Sequence, residues 1–369
     1  MNINFHYFAI KTLAILAGFE DTKAQQLAKY SQFVDDYSTP SLIACSNIPR
    51  KIINSSTLDL YSWSILGNFR PVATGFTNPF EYARLIASRD QRFILSPFHF
   101  TPFDETQAGI ADSSVIPLAF GDNSLIDRLL HKEIESYKIG HKQNITLMRL
   151  GMLLHIYADS YAHQMFTGFV SPTNRVNITE VINNITGENC TSQARAGIKS
   201  LFNNAATHIP AIGHTQAGHN PDLSNISFTF SYSTGNGDSN DQLHYQNNTE
   251  TFLEAGRNIY SYFNKCLEGE PMAEDNTWDN IKPKLRQGFM IERPRQNPIN
   301  TLAAHWQQIF PHIQYHYNSG EIRKSFRLTP TSISEMTRNA KTAFSEEFYE
   351  YNIMANEVLI SLYGPRPRR

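Results

Sequence analysis

One stretch limits the possible folds of this chain more than any other. Asn144 to Thr167 reads as a long helix carrying His155, Asp159 and His163 at intervals of four residues. Leu147, Leu150, Leu154, Ile156, Tyr157 and Tyr161 supply apolar bulk, while Gly151, Ala158 and Ala162 let neighbouring backbones come close. Each four-residue step advances about 400° and about 6 Å, so the three polar side chains fall within roughly an 80° arc of one face. One imidazole can ligate one metal, the other a second, and the carboxylate between them can bridge; two-metal hydrolytic sites hold their ions about 3.5–4 Å apart. An unpaired Asp on a face flanked by apolar residues is costly to bury. The same spacing also suits a partly solvated polar stripe, or an Asp–His pair inside a bundle. The triad therefore counts as a site only if other ligands converge on it.

Candidates for that convergence lie along the first 222 residues. His6 sits at the start of the first helix. Asp35 and Asp36 end the second, where carboxylates oppose the helix dipole and a bound cation would offset the cost. His99 is set between two aromatics in Pro97-Phe98-His99-Phe100-Thr101-Pro102. His214, His219 and Asp222 lie on a Gly-rich segment of the kind that commonly carries function. Of His208, His214 and His219, His214 is the preferred ligand. Each of these has an ordinary alternative as a buried, exposed or helix-end residue. Together they offer imidazole and carboxylate donors without thiolate, which suits two or three ions such as zinc.

The remaining pattern is mainly α-helical. Helices are expected at Phe5 to Phe19, with Gly18 marking the end, and at Thr22 to Asp36, Asn78 to Ser88 and Leu125 to Ile139. A Pro- and Gly-rich loop, Ser96 to Asp122, precedes the last of these. Residues 171 to 196 read as loop plus a short helix, and Ile209 to Asn248 as a long functional loop. Strands are expected at most in Ile226 to Tyr232 or as short hairpins. A helix from Thr249 to Leu267 closes a first domain, 1–267. The charged, Pro-containing stretch 268 to 300 opens a C-terminal extension, 268–369, with helices around Thr301 to Tyr317 and Ser332 to Leu362.

Composition narrows the function classes. A hydrophobic share of 41% in 369 residues is enough for a sizeable core. The formal net charge of −2 gives no support for a basic nucleic-acid footprint. Three cysteines, Cys45, Cys190 and Cys266, form no C-x-x-C pair, so any metal falls to the 13 histidines and the carboxylates. No run approaches the roughly 18 apolar residues of a spanning helix. The N-terminus lacks the positive region of a signal peptide. We therefore expect cytoplasmic residence, a leader-independent export route such as delivery into a host cell, or a mature form whose leader has been removed.

The segments Phe5-His6-Tyr7-Phe8, Tyr30-Ser31-Gln32-Phe33-Val34-Asp35-Asp36, Phe98-His99-Phe100-Thr101-Pro102, Leu154 to Gly168 and Ile212 to Asp222 occur in the order seen in a known group. Their succession resembles a bacterial and fungal family of zinc metallophospholipases C, which overlaps a family described only as a domain of unknown function. The likeness spans roughly residues 5 to 265, and its most specific block is Leu154 to Gly168. More remotely the chain is similar to trinuclear-zinc phospholipases C and single-strand nucleases that share a helical fold. Those enzymes space the helix ligands as His-x3-Asp-x5-His, whereas here the second gap is x3. They also use the N-terminal amine as a ligand; with five residues before His6, that arrangement is unsupported here unless the mature terminus differs.

The resemblance implies a multi-helix bundle of the zinc-dependent phospholipase C type with long functional loops. It implies that Asp159 bridges, that His155, His99 and one of Asp35 and Asp36 share a metal, and that the other Asp of the pair orients or deprotonates water. His163 and His214 would hold a second metal and His6 would join a third site, with Asp222 the nearest carboxylate after the last His. The implied reaction cleaves a phospholipid at a membrane surface into diacylglycerol and a phosphorylated head group, with Phe98, Phe100, Phe103 and Phe166 lining the mouth or packing the core. No nucleic-acid partner is expected. The rivals are a single-strand nuclease on the same metal scaffold and a non-catalytic helical effector whose His/Asp cluster is structural.

Overall fold

The computed structural model describes residues 1–38, 71–75, 90–140, 143–201, 210–232, 242–268, 276–292, 298–327 and 344–364. π-Helical turns Asn4–Ala9 lead into α1 (Ile10–Ala17), which ends at Gly18 with φ +112°, a left-handed conformation that glycine adopts without strain. Next come α2 (Asp21–Asp36), α3 (Leu125–Lys138) and α4 (Gln143–Ala162). Helix α3 starts where Ser124 accepts from the Asp127 N–H, a side-chain cap for a donor the helix leaves open.

Helix α4 carries His155 and Asp159 of the expected triad, with His163 just past its end, and is packed by helices on several sides. Every residue from Leu150 to His163 is buried, as a helix enclosed by others must be. Helices α2, α3 and later α6 pack on it. Helix α2 approaches closely at Gly151, where an added Cβ would sit 2.5 Å from the Leu27 carbonyl oxygen. The small residue there sets how near Asp35 of α2 can come to His155 of α4.

A three-stranded antiparallel sheet lies beside the helices, ordered β1 (Val176–Asn183), β2 (Ile226–Tyr232) and β3 (Gln242–Asn247). Helix α5 (Thr191–Leu201) falls between β1 and β2 in sequence and packs on β1. Only β2 matches the sequence expectation. β1 lies in a stretch read as loop and short helix, because a register shift between Ile178 and Glu180 breaks the strict alternation that marks a strand. β3 lies within the stretch read as one long loop; its Leu243 and Tyr245 point outward, so its apolar residues mark no core face.

Helix α6 (Asn248–Cys266), capped by Asn247, returns to the bundle. It is followed by α7 (Trp278–Phe289), α8 (Pro298–Ile309), α9 (Ser319–Ser325) and α10 (Glu346–Tyr363). Buried side chains from Ile281 to Leu362 share one hydrophobic core with those of the helices between Phe5 and Cys266, while the sheet and the residues packed on it form a second core. Fully buried Trp306 of α8 donates its indole N–H to Asn4 at 2.6 Å, and Tyr7 accepts from the His316 backbone N–H at 2.8 Å. The expected helix at Asn78 to Ser88 and the first part of that at Ser332 to Leu362 lie outside the described residues. No described helix is long and apolar enough to cross a membrane.

Candidate metal centre

His155, Asp159 and His163 stand on one buried face at the end of α4, and partners reach them from four other segments. Three groups of donor atoms result, with the atoms of each within 4.8 Å of one another: His6, His155 and Asp159; Asp35, His99 and His155; His163, His214 and Asp222. His6 stacks on His155 with ring centroids 3.8 Å apart, and its Nε2 lies 3.1 Å from Asp159. All three groups border one cavity of about 940 Å³, through Asp35, His99, Asp159, His163, His214 and Asp222.

The hydrogen bonds around the rings decide what the inner nitrogens offer. His99 donates its Nε2–H to the Thr74 carbonyl, His163 its Nδ1–H to the His99 carbonyl, and His214 its Nδ1–H to the Gly218 carbonyl, each at 2.7 Å. A carbonyl only accepts, so in each neutral ring the other nitrogen is a lone pair. Those lone pairs face carboxylates: His99 Nδ1 is 3.1 Å from Asp159, His163 Nε2 is 3.0 Å from Asp222, and His214 Nε2 is 3.5 Å from Asp222. Acceptor set against acceptor repels unless a proton or a cation lies between. This arrangement, with each ring oriented by a backbone carbonyl, is the one metal-ligating histidines adopt.

The segment that orients His99 is itself held from two sides. Thr74 donates its hydroxyl to the Val34 carbonyl at 2.9 Å and its N–H to the Tyr37 carbonyl at 3.1 Å, while the Val72 N–H donates to Asn352 of α10 at 2.8 Å. At Gly75 a Cβ would fall 2.0 Å from the Asp35 carbonyl oxygen, so this segment lies flat against the end of α2 only with glycine there. Neither Thr74 nor Gly75 carries a signal in the sequence, since their part is played by backbone.

The amine of Met1 is the clearest departure from the sequence reading. The turn that starts at Asn2, whose carbonyl accepts from the N–H groups of Phe5 and His6, folds the first residues back onto the site. There the amine is bonded to Asp159 and lies 3.2 Å from Asp222. The short gap to His163 is accommodated: its N–H still donates to the Asp159 carbonyl, one helical step beyond α4, and its ring turns toward Asp222.

The two Asp of the pair separate. Asp35 faces His155 at 3.7 Å and His99 at 3.9 Å. Asp36, about 100° further round the helix, takes the Tyr317 hydroxyl instead, and burial pushes its carboxyl up to about 6. It lines the cavity but joins none of the donor groups. His219 is exposed at the cavity wall, and His208 lies outside the described residues. Of the four aromatics read as lining the mouth or packing the core, Phe100 lines the cavity, Phe98 and Phe166 are core, and Phe103 packs half-buried against the core.

Burial works against the charge of Asp159, yet the Met1 amine and His163, His155 and His6 outweigh it and hold the carboxyl well below its usual range. Burial, then the neighbouring His155, pushes His6 down to about 4, and burial pushes His214 down to about 4 against the pull of Asp222. For His99 burial is outweighed by Asp159, and its pKa rises. His6 and His214 have folded pKa values below the roughly 6.5 of an unfolded histidine, so the stability they confer is complete above that pH. It drains away as pH falls toward 4, by roughly 3 kcal/mol per ring. His99 contributes with the opposite sign, its stability being lost as pH rises through its raised pKa. Asp36 also opposes the two rings, since its buried charge is relieved as pH falls through about 6. Between pH 7 and pH 5 each ring costs roughly 2 kcal/mol and Asp36 returns roughly 1, so chelator-treated protein should have a lower urea midpoint at pH 5 than at pH 7; equal midpoints would contradict the dominance of His6 and His214.

The fold and the site together define a mainly helical protein with a thiolate-free His/carboxylate cluster whose three donor groups could each hold a metal ion. Residues 1–359 match the family model described as a family of unknown function (DUF6765), and the chain belongs to that family. No match is found among curated proteins or among solved structures.

Proposed function

We propose that this protein is a zinc-dependent phosphodiester hydrolase of the phospholipase C type, cleaving glycerophospholipids to diacylglycerol and a phosphorylated head group. The observation that carries the reading is the set of three donor groups on one cavity, two of them sharing His155. Imidazole and carboxylate donors without thiolate fit zinc. Bound divalent ions would supply Lewis acidity for the phosphoryl oxygens and the leaving alkoxide, and a lowered pKa for water.

The chain's own groups have separable tasks in this reading. Asp159 neutralises and spaces the centre, with one oxygen toward His6 and the other toward His99 and His155. Asp35 is the donor-group carboxylate most open to the cavity, its side chain 32% exposed, and is the group we assign to take the proton of the attacking water. Asp36, held by Tyr317, fixes the end of α2 and so the direction of Asp35.

The reading is tested by incubating zinc-loaded protein side by side with phosphatidylcholine, phosphatidylglycerol and single-stranded DNA. Phosphorylated head group and diacylglycerol should appear from at least one lipid. Cleavage of the DNA alone would replace the reading with that of a nuclease. No turnover of any substrate with zinc or manganese would leave the cluster a structural site.

A further inference from the structure

The cavity has a lining that phosphoester chemistry does not require. Ile3, Ile212, Leu223, Ile291, Ile299 and Leu302 border the same space as the donor groups. Ile299 and Leu302 are three residues apart on α8 and so share a face, and Ile291 follows the end of α7. At about 940 Å³ the cavity is near the upper end of the range for whole small-molecule ligands, far more than a phosphate group fills.

The character of the wall selects among phosphodiesters. Nucleobases are usually held on open aromatic faces with Lys or Arg along the backbone. Among the described residues no Lys or Arg lines the cavity. Its Phe100 ring is already stacked on His163, centroids 4.7 Å apart, and lies against Gly213. Tyr317 is engaged by Asp36. What is left is largely aliphatic, with Ile291 and Ile299 half-buried and Leu302 buried, beside the exposed His219 and uncharged polar groups such as Ser319.

We propose that Ile291, Ile299 and Leu302 form an acyl-chain subsite, seating a fatty acyl chain of the substrate beside the donor groups. The assignment rests on the phospholipase C reading of the centre. It makes the C-terminal helices a determinant of specificity, because α8 supplies two of the three side chains. Burial of each methylene then raises kcat/KM by up to about fourfold, from the transfer free energy of a CH₂ group, until the wall is filled.

The test uses zinc-loaded full-length protein and phosphatidylcholines with acyl chains from butanoyl to octanoyl, kept below their micellar concentrations. For the unsubstituted protein kcat/KM should climb with chain length, and in Leu302→Ser and Ile299→Ser the climb should flatten. Ile299 is only half-buried, so its variant guards against simple misfolding. A loss by the same factor at every chain length in both variants would overturn the proposal. Dioctanoylglycerol, which has the chains but no phosphodiester, separates this inference from the functional reading. Saturable binding by tryptophan fluorescence, weakened at least about tenfold by Ile299→Ser, supports the subsite even if no phosphodiester is cleaved. Absence of binding to the unsubstituted protein overturns it even if hydrolysis is found.

Discussion

Asp159→Asn should strip most of the metal from the protein and lower phosphodiester turnover by about 10³-fold or more. The carboxylate is buried and lies within 3.3 Å of His6, His99 and His155, besides its bond to the Met1 amine. Asn keeps the shape but gives up the charge and one of the two oxygens, so the group it forms with His6 and His155, and the neighbouring His99, can no longer be drawn together. The substitution also leaves a buried amine beside imidazoles with one carboxylate fewer. Removing one partner from a buried charge pair costs about 3–5 kcal/mol, part of which the remaining Asp222, 3.2 Å from the amine, offsets. Zinc content, kcat/KM and the urea midpoint should therefore all fall. Turnover within about tenfold of the unsubstituted protein would remove Asp159 from the centre.

The second large effect is expected one helical turn from His155, at a residue with no side chain to offer a metal. Gly151→Val places a branched side chain where even a Cβ would lie 2.5 Å from the Leu27 carbonyl oxygen and 3.1 Å from Tyr30 Cβ. Backbone cannot be turned aside as a flexible side chain can, so α2 and α4 must separate. Overpacking in a close-packed core typically costs about 1–3 kcal/mol, and contact with backbone puts this case at the top of that range or above. The same separation carries Asp35 away from His155, now 3.7 Å apart. Stability and activity should fall together, the first read from the urea midpoint. An unchanged midpoint would mean that the helices do not meet there.

How much of this could be read from the chain depends on whether side chains or backbone do the work. The triad on α4, His6, Asp35, His99 and His214 are chemistry-bearing side chains at fixed spacings, and the structure gathers all of them. Asp36 does not join them, because consecutive helical residues point about 100° apart and only one of the pair can face the cluster. The Thr74 carbonyl, the flat approach at Gly75 and the Met1 amine are backbone features with no residue-type signature. The strand Val176–Asn183 escaped for a related reason, its bulge hiding the alternation. The wall formed by Ile291, Ile299 and Leu302 was invisible because apolar residues on a helix announce burial, not what they face.

Direct counting of bound ions tests whether the cluster holds metal. Protein treated with chelator, equilibrated with zinc and freed of excess ion should hold two to three zinc ions per chain by mass spectrometric metal analysis. His155→Ala, which removes the imidazole common to two of the three donor groups, should hold at least one fewer. Retention of essentially no zinc by the unsubstituted protein, with manganese giving the same result, would contradict the account.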